Sequence, residues 1–294
     1  MQLPQQGQHY LGPITDTKRW DNFSSRDDDI FICTPPKCGT TWTQAICALL
    51  VFGKVDHGQQ PAVISPWVDA AFEPIEPVLE RIDAQPHRRF LKTHSPFDGI
   101  PYRPECTYLV IFRDPRDVFF SGKNHRDNMN NQELAMAVFG DEESTFEEFL
   151  VGTPNPLAWD QQSLPTLAYI LDSYWPYRHL PNVHLHHYSD MTRDLRGAIG
   201  SMASETGVDI SDDQLDAFTQ AASFGAMKVN ADQYAPNGGS GMWKADSKFF
   251  ANGTIGQWED RLTTEQQDKF LVRMGELLEP EPARWLLEGG ALDR

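Results

Sequence analysis

Short apolar runs of strand length recur along the chain and alternate with stretches of helical periodicity. The runs lie in "IFIC" at 30–33, "RRFLKTH" at 88–94, "TYLVIFRDP" at 107–115 and "NVHLHHYSDM" at 182–191. Strands that alternate with helices are typical of an α/β fold, in which helices flank a mostly parallel central sheet. With no internal repeat and no linker in the sequence, we expect one domain across residues 1–294.

Three stretches carry helix-boundary signals. After the first run, apolar residues recur at spacings of three and four until Gly53, which is expected to end a helix with one buried stripe: Trp42, Ala45, Ile46, Leu49 and Leu50. Asp114 is expected to be an N-cap and Pro115 a first helical position. Ser211 and Gln214 have the spacing of a capping box.

The last part of the chain is expected to hold a loop and then the final helix. Residues 230–253 have the Gly, Asn and Ser content of a mobile loop. The stretch "TTEQQDKFLVRMGELL" at 263–278 is predicted to be the helix that closes the chain.

Composition narrows the class of protein. The chain has 294 residues, 40% of them hydrophobic and 23% charged, which is typical of a folded soluble protein. Its net charge of −17 argues against nucleic acid as a partner, since phosphate backbones are bound by clustered Lys and Arg. The longest apolar run is too short to span a bilayer, and the first ten residues do not resemble a signal peptide.

Metal and disulfide sites are not indicated by the sequence. The four cysteines, at positions 33, 38, 47 and 106, have neither paired metal-ligand spacing nor the density of a disulfide scaffold. His184 and His186 share a strand face, but no third ligand has a suitable spacing. We therefore expect a cytoplasmic protein with reduced cysteines and no metal site.

Cationic residues follow three of the predicted strands directly. Lys37 comes after the first strand, Lys92 and His94 after the second, and Arg113 after the third. In parallel α/β sheets, ligands bind at the carboxyl ends of the strands. These residues are therefore expected to build a positive niche for an anion on an otherwise acidic protein.

The loop "TPPKCGTTW" between the first strand and its helix resembles a phosphate-binding loop but departs from the Walker pattern. Its lysine, Lys37, precedes Gly39 by two residues, and Thr40 follows Gly39 where the Walker lysine would stand. A helix N-terminus still binds anions through free N–H groups. The strand "YLVIF" ends in Arg113 and not in a magnesium-binding acid, so an ordinary kinase is disfavoured.

A catalytic cysteine is also disfavoured. Cys38 lies near a helix N-terminus, where a thiol can be activated. A cysteine phosphatase would need an arginine six residues later, and Gln44 occupies that position.

Six stretches, in order, resemble the cytosolic-type sulfotransferase family, which moves a sulfuryl group from 3′-phosphoadenosine-5′-phosphosulfate (PAPS) to a hydroxyl or amine and leaves adenosine 3′,5′-bisphosphate (PAP). They are "PPKCGTTW", "LKTHSP", "FRDPRDVFFS", "YSDM", "ASFGAMK" and "GTIGQW". The resemblance implies a P-loop-like sulfotransferase architecture. It also implies that the first stretch binds the 5′-phosphosulfate and the third the 3′-phosphate.

The resemblance further implies residue roles. His94 would be the general base, and Lys37 and Lys92 would stabilise the charge on the leaving phosphate and the sulfuryl oxygens without a metal. Trp42 and Phe224 would sandwich the adenine, although Trp42 also fits the buried helix stripe. The implied donor-binding residues are Lys37, Cys38, Gly39, Thr40, Thr41, Trp42, Arg113, Ser121, Tyr188, Phe224 and Gly253.

Two features of the sequence depart from the family pattern. Ala251 and Asn252 stand where the family usually carries an Arg-Lys pair that grips the 3′-phosphate. Two alternatives stay open: donor affinity is reduced, or another cation, Lys248 or Lys244, substitutes for the pair. Glu259 stands in place of a lysine of the family's dimer motif, which leaves the oligomeric state open.

The acceptor is expected to be a small, apolar molecule. By the family's plan, its pocket comes from residues 54–87, 125–160 and 231–250, which contain Trp67, Phe72, Phe139, Phe146, Trp159, Tyr234 and Trp243. Two other functions stay open at this point: a non-catalytic module that binds a 3′-phosphonucleotide, and a P-loop kinase.

Overall fold

The fold is described by a computed structural model that covers residues 3–141, 145–236, 238–251 and 253–292. In these residues four parallel strands form one sheet in the order β2-β1-β3-β4. The strands are β1 (Ile30–Cys33), β2 (Phe90–Thr93), β3 (Thr107–Phe112) and β4 (Val183–His187). Each lies within one of the four predicted runs, and the α/β prediction is confirmed.

The register of the strands brings their carboxyl ends to one level. Ile32 of β1 is aligned with Lys92 of β2 and with Leu109 of β3. The loop after β1, the end of β2 and the end of β3 therefore open at the same edge of the sheet, where the cationic residues were expected to meet.

Side chains that alternate along the strands enter two separate cores. Phe31 and Cys33 of β1 pack with Tyr108 and Val110 of β3 on one face. Ile30 and Ile32 pack on the other face, with the helix that follows β1. Because both faces are covered, the strands read as continuous apolar runs.

Helices cover both faces of the sheet and its edge. Within the described residues they are α1 (Thr40–Phe52), α2 (Pro61–Ile64), α3 (Ile75–Asp83), α4 (Pro115–Asn128), α5 (Gln132–Phe139), α6 (Phe146–Val151), α7 (Leu164–Tyr174), α8 (Tyr188–Arg193), α9 (Leu195–Glu205), α10 (Asp212–Ala221), α11 (Phe224–Val229), α12 (Ala231–Tyr234), α13 (Thr264–Leu277) and α14 (Pro280–Glu288). None of these helices is long and apolar enough to cross a membrane.

The predicted helix boundaries are confirmed. Gly53 ends α1 in the left-handed conformation, with φ of 66°. The Asp114 carboxylate accepts a hydrogen bond from the Arg116 N–H at the start of α4. Ser211 and Gln214 form both hydrogen bonds of a capping box at α10.

Two expectations for the last part of the chain are wrong. The helix α13 does not close the chain, because α14 follows it and buries Trp285 and Leu286. The range 230–253 was predicted to be a loop, but its described part contains α12 and the almost fully buried Trp243. Pro280 accounts for both the end of α13 and the start of α14, because proline disrupts the interior of a helix but is a favoured first residue of a new one.

Candidate active site

A cavity of about 570 Å³ opens at the carboxyl edge of the sheet. It brings together residues that are far apart in sequence, including Lys37, Lys92, His94 and Arg113. The other sequence-predicted residues that line it are Gly39, Thr40, Thr41, Trp42, Ser121, Tyr188, Phe224 and Gly253.

Cys38 is the predicted site residue that does not line this cavity. Its side chain is wholly buried in the core beneath the loop. Burial raises the pKa of the Cys38 thiol to about 12, so the group is a neutral thiol at physiological pH.

The loop after β1 owes its shape to two residues with positive φ. Gly39, with φ of 111°, is the N-cap of α1, and a Cβ atom there would lie 3.2 Å from the Tyr188 ring. Lys37 has φ of 69°, which is unfavourable for a residue with a side chain. Strain of this kind at a cavity wall is typical of a functional loop.

The tautomer of His94 is set by a backbone carbonyl. Its Nδ1 lies 2.5 Å from the Thr34 carbonyl oxygen, which can only accept, so Nδ1 carries the proton and Nε2 carries the lone pair. Burial, and next the Lys92 charge, lower the pKa of His94 to about 3. His94 is therefore a neutral imidazole in the ligand-free protein.

Both lysines of the site have lowered pKa values. Burial lowers the pKa of Lys92 to about 8, although the Asp69 carboxylate opposes the shift. The Lys92 ammonium lies 4.3 Å from the centre of the Trp67 ring. Burial, followed by the Arg113 charge, lowers the pKa of Lys37 to about 7.

Arg113 directly follows β3, and only part of its guanidinium is hydrogen-bonded to the protein. Its Nη2 donates to the Thr254 carbonyl at 2.9 Å, and its guanidinium lies 4.3 Å from the centre of the Tyr188 ring. Its buried Nε has no hydrogen-bond partner among the described residues. A buried donor of this kind needs an acceptor, and an anionic ligand oxygen in the cavity would supply one.

The late glycine stretch is fixed to the start of α4. The Asp117 carboxylate accepts hydrogen bonds from the N–H groups of Gly256 at 3.1 Å and Gln257 at 2.7 Å. Gly253 lies against the Phe224 ring, where a Cβ atom would approach to 2.3 Å. These contacts carry "GTIGQW" to the cavity and explain why glycine is needed at 253.

The position of Trp42 is compatible with both of the roles considered for it. It is partly buried against the core on one face of the sheet and also lines the cavity. Its Nε1 donates to the Ala222 carbonyl at 2.8 Å, and its ring centre is 5.3 Å from that of Tyr188.

A second cavity, of about 440 Å³, shares some wall residues with the first. Three lysines line this second cavity: Lys228, Lys244 and Lys248. Of the two expected substitutes for the family pair, Lys248 lines both cavities, whereas Lys244 lines only the second and donates to the Asp127 carbonyl. Lys228 was missed from the sequence, although it ends the quoted stretch "ASFGAMK"; its ammonium donates to the Ala251 carbonyl at 2.9 Å. Asn252 lies outside the described residues.

The segments expected to form the acceptor pocket contribute mostly apolar residues to the cavity wall. Of the aromatic residues expected there, four line it: Trp67, Phe72, Phe139 and Trp243. The other three, Phe146, Trp159 and Tyr234, do not, and the first two are buried in the core. Sequence position alone could not separate these groups, because aromatic residues in such segments serve both purposes.

Nothing in the sequence identified two further residues that line the cavity, Ile14 and His125. Ile14 is 48 residues before Ala62, the next lining residue within the segments expected to form the acceptor pocket. His125 belongs to the basic stretch "GKNHR", but no motif marks it.

Other candidate groups have structural partners. Arg116 forms an ion pair with Asp114 and lies 3.5 Å from the centre of the Trp258 ring. His184 and His186 both approach the Glu205 carboxylate, at 3.6 Å and 2.7 Å. In the described part of the chain, no group of three or more His, Cys, Asp or Glu residues has the arrangement of a metal site.

A parallel sheet with a helix N-terminus and basic residues around one cavity at its carboxyl edge is typical of a P-loop-like fold. Residues 27–280 match the sulfotransferase domain family. The chain therefore belongs to that family, and it is a sulfotransferase, which transfers a sulfuryl group to a hydroxyl group.

Several curated relatives are similar over nearly the whole chain. A glycolipid sulfotransferase of Mycobacterium bovis is 34% identical, with 95% of this chain and 94% of the relative covered. A glycolipid sulfotransferase of Mycobacterium tuberculosis is 35% identical with the same coverage. An amine sulfotransferase of Oryctolagus cuniculus is 25% identical, with coverage of 86% and 81%.

Solved structures share the fold. A mouse sulfotransferase complexed with PAP has a TM-score of 0.68 and 21% identity, with 92% of each chain covered. Retinol dehydratase in complex with androsterone and PAP has a TM-score of 0.70 and 20% identity, with coverage of 90% of this chain and 87% of that one.

Proposed function

We propose that this sulfotransferase takes its sulfuryl group from PAPS and passes it to a hydroxyl group of a neutral, largely apolar acceptor of the glycolipid type. The observation that carries the proposal is the meeting of Lys37, Lys92 and His94 with the anion-binding loop in one cavity. Chain-wide similarity to glycolipid sulfotransferases supports the acceptor class.

The donor would lie along the carboxyl edge of the sheet. Thr40, Thr41 and the backbone N–H groups at the start of α1 face the cavity and suit a 5′-phosphosulfate. Arg113, with its unpartnered Nε, and Ser121 suit the 3′-phosphate. Trp42, Phe224 and Tyr188 offer aromatic surface for the adenine.

Transfer would proceed in line, by direct attack of the acceptor oxygen on sulfur. The acceptor hydroxyl gives its proton to Nε2 of His94, the new O–S bond forms, and the S–O bond to the phosphate breaks. PAP leaves with the bonding electron pair. Lys37 and Lys92 would stabilise the charge on its phosphate and on the sulfuryl oxygens, a task that fixed ammonium groups can perform without a metal.

The acceptor would occupy the apolar side of the cavity. Trp67, Phe72, Phe139 and Trp243 form walls there, close to His94; the Trp67 and His94 ring centres are 4.7 Å apart. An apolar acceptor would therefore be held with its hydroxyl beside the proposed base.

We also propose that the chain works as a single domain in the cytoplasm. All four cysteines are free and buried, which suits a reducing compartment. The matched family region spans residues 27–280, with no division inside it.

Thermal unfolding with saturating PAP tests the donor site. A ligand at roughly a hundred times its dissociation constant adds about 2.7 kcal/mol of stability, enough to raise the midpoint by several degrees. The expected result is a shift with PAP that exceeds those with ADP and 5′-AMP. A shift with magnesium and ADP alone would favour the kinase alternative.

The variant His94→Ala tests catalysis against a non-catalytic binding module. We expect loss of turnover by about a hundredfold or more, since general bases contribute 10²–10⁴-fold. The PAP dissociation constant should stay within about threefold of the wild-type value, because His94 lies on the acceptor side of the donor. Turnover that survives near the wild-type rate would remove His94 from the base role.

A further inference from the structure

His125 lies on α4 in the wall of the active-site cavity, four residues after Ser121. Its imidazole is packed among three aromatic rings of the acceptor side. The ring centres of Trp243, Phe139 and Phe249 are 4.7, 5.2 and 5.5 Å from that of His125. His125 is thus part of the acceptor wall, although no role was assigned to it from the sequence.

The same imidazole makes a hydrogen bond to the proposed catalytic lysine. Its Nδ1 lies 2.7 Å from the Lys37 ammonium nitrogen. When Lys37 is protonated its ammonium can only donate, and Nδ1 is then the acceptor, with the ring proton on Nε2. This is the opposite tautomer to that of His94, whose Nδ1 donates.

Charge around His125 keeps it in the accepting form. Burial, and next the charges of Lys37 and Lys92, lower the pKa of His125 well below its ordinary value, and His94 is the other titratable group nearby. A neutral imidazole therefore faces Lys37 throughout the physiological pH range.

Lys37 needs such a partner. Its side chain is long, and it starts from a backbone with φ of 69° in a loop. Its ammonium also lies 5.1 Å from the centre of the Phe249 ring, one of the rings that hold His125. The aromatic cluster and the histidine together fix where the ammonium sits.

We propose that His125 is a positioning residue, which holds the Lys37 ammonium between the acceptor wall and the donor loop so that its remaining N–H groups face the sulfuryl group during transfer. The inference rests on the role of Lys37 in the proposed function. It links acceptor binding to catalysis, because the ring that packs against the acceptor wall is the ring that orients the lysine.

Two variants separate the accepting nitrogen from the ring. His125→Phe keeps an aromatic ring in the cluster but removes the acceptor. His125→Asn keeps an acceptor, since Oδ1 of asparagine takes nearly the place of Nδ1, but removes the ring. Steady-state kinetics with PAPS and an accepted hydroxylated lipid, together with PAP titrations, give kcat, acceptor KM and donor affinity for each.

We expect His125→Phe to lower kcat by about ten- to a hundredfold, the size of a lost hydrogen bond to a charged group, with acceptor KM and PAP affinity within about threefold of wild type. His125→Asn should recover most of kcat but raise acceptor KM. If His125 mattered only for folding, the Phe variant would not lose kcat selectively while the Asn variant raised the acceptor KM. If His125→Phe does not fold, His125→Leu carries the same test of the acceptor nitrogen.

Equal losses of kcat in the Phe and Asn variants, or a wild-type kcat in His125→Phe, would overturn the inference. Lys37→Ala is the control for the proposed function itself. If Lys37→Ala retains turnover, the role of Lys37 fails; if it loses turnover while His125→Phe does not, only the inference about His125 fails. The double variant should be no slower than Lys37→Ala, because both changes remove one coupled interaction.

Discussion

Three ionisable side chains at the carboxyl edge of the sheet have pKa values far from those in water. Lys37, Lys92 and His94 are crowded together in a buried site, so each loses part of its tendency to carry charge. The unliganded site thus holds fewer protons near neutral pH than its composition implies. An anionic donor would restore the charge on the lysines.

Donor binding is therefore expected to depend on pH. As pH rises through about 7 to 8, the free protein loses protons from Lys37 and Lys92. PAP binds best when both are charged, so its dissociation constant should rise with pH above that range, and binding at pH 8 should take up protons. Isothermal titration in two buffers of different ionisation enthalpy measures this uptake.

The variant Lys37→Met is the control, because it removes one of the two groups and should reduce the uptake at pH 8. Binding without proton uptake would contradict the lowered lysine pKa values.

The lowered lysine pKa values also make the stability of the ligand-free protein depend on pH. The unfolded chain binds these protons up to a pH near 10, so the contribution of the two lysines to stability should rise with pH from about 7 to 10.

At the scale of elements, residues 11–16 carry Ile14 to the cavity wall. Backbone hydrogen bonds at Leu11 and Ile14 hold this segment, and the Asp160 side chain adds further bonds. The Asp160 carboxylate accepts hydrogen bonds from the N–H groups of Ile14 at 2.7 Å and Thr15 at 2.9 Å and from the Thr15 hydroxyl at 2.5 Å. Asp160 has φ of 85°; among the described residues other than glycine, Lys37 alone shares this sign of φ. Both line the same cavity.

The variant Asp160→Ala should loosen the segment that carries Ile14. We expect acceptor KM to rise by about tenfold, the equivalent of about 1.4 kcal/mol, with PAP affinity unchanged because the segment lies on the acceptor side. Asp160→Gly is the matched variant, since it removes the same carboxylate but suits a positive φ. An unchanged KM in both variants would show that the segment does not shape the acceptor site.

The whole molecule carries a net charge of −17, so the basic residues of the site form a local positive cluster on an acidic protein. A polyanionic acceptor would meet long-range repulsion that a neutral acceptor does not. We expect sulfation of neutral hydroxylated lipids, phenols or sterols and no turnover on sulfated or carboxylated polysaccharides at low ionic strength. A screen of these classes with radiolabelled PAPS measures which acceptors are sulfated. Turnover on free sugars alone would contradict the proposal of an apolar acceptor.

Much of the fold and site could be predicted because the features are local. Strands buried on both faces appear as apolar runs, and the caps at Asp114, Gly53 and Ser211 depend on side chains within a few residues. The edge of the sheet was predictable too, because parallel strands end together. Lys37 lies in the loop after β1, Lys92 is the penultimate residue of β2, and Arg113 directly follows β3.

The sequence by itself determined the α/β class, the sulfotransferase family and the residues at the strand ends. Only the tertiary structure decided the protonation of His94 and Lys37, the separation of lining aromatics from core aromatics, and the parts played by His125, Asp160 and Lys228. The physical reason is that burial, neighbouring charge and hydrogen-bond partners at these residues come from segments distant along the chain. A pattern of residue types records which side chains are present, whereas the fold decides which of them share one desolvated space.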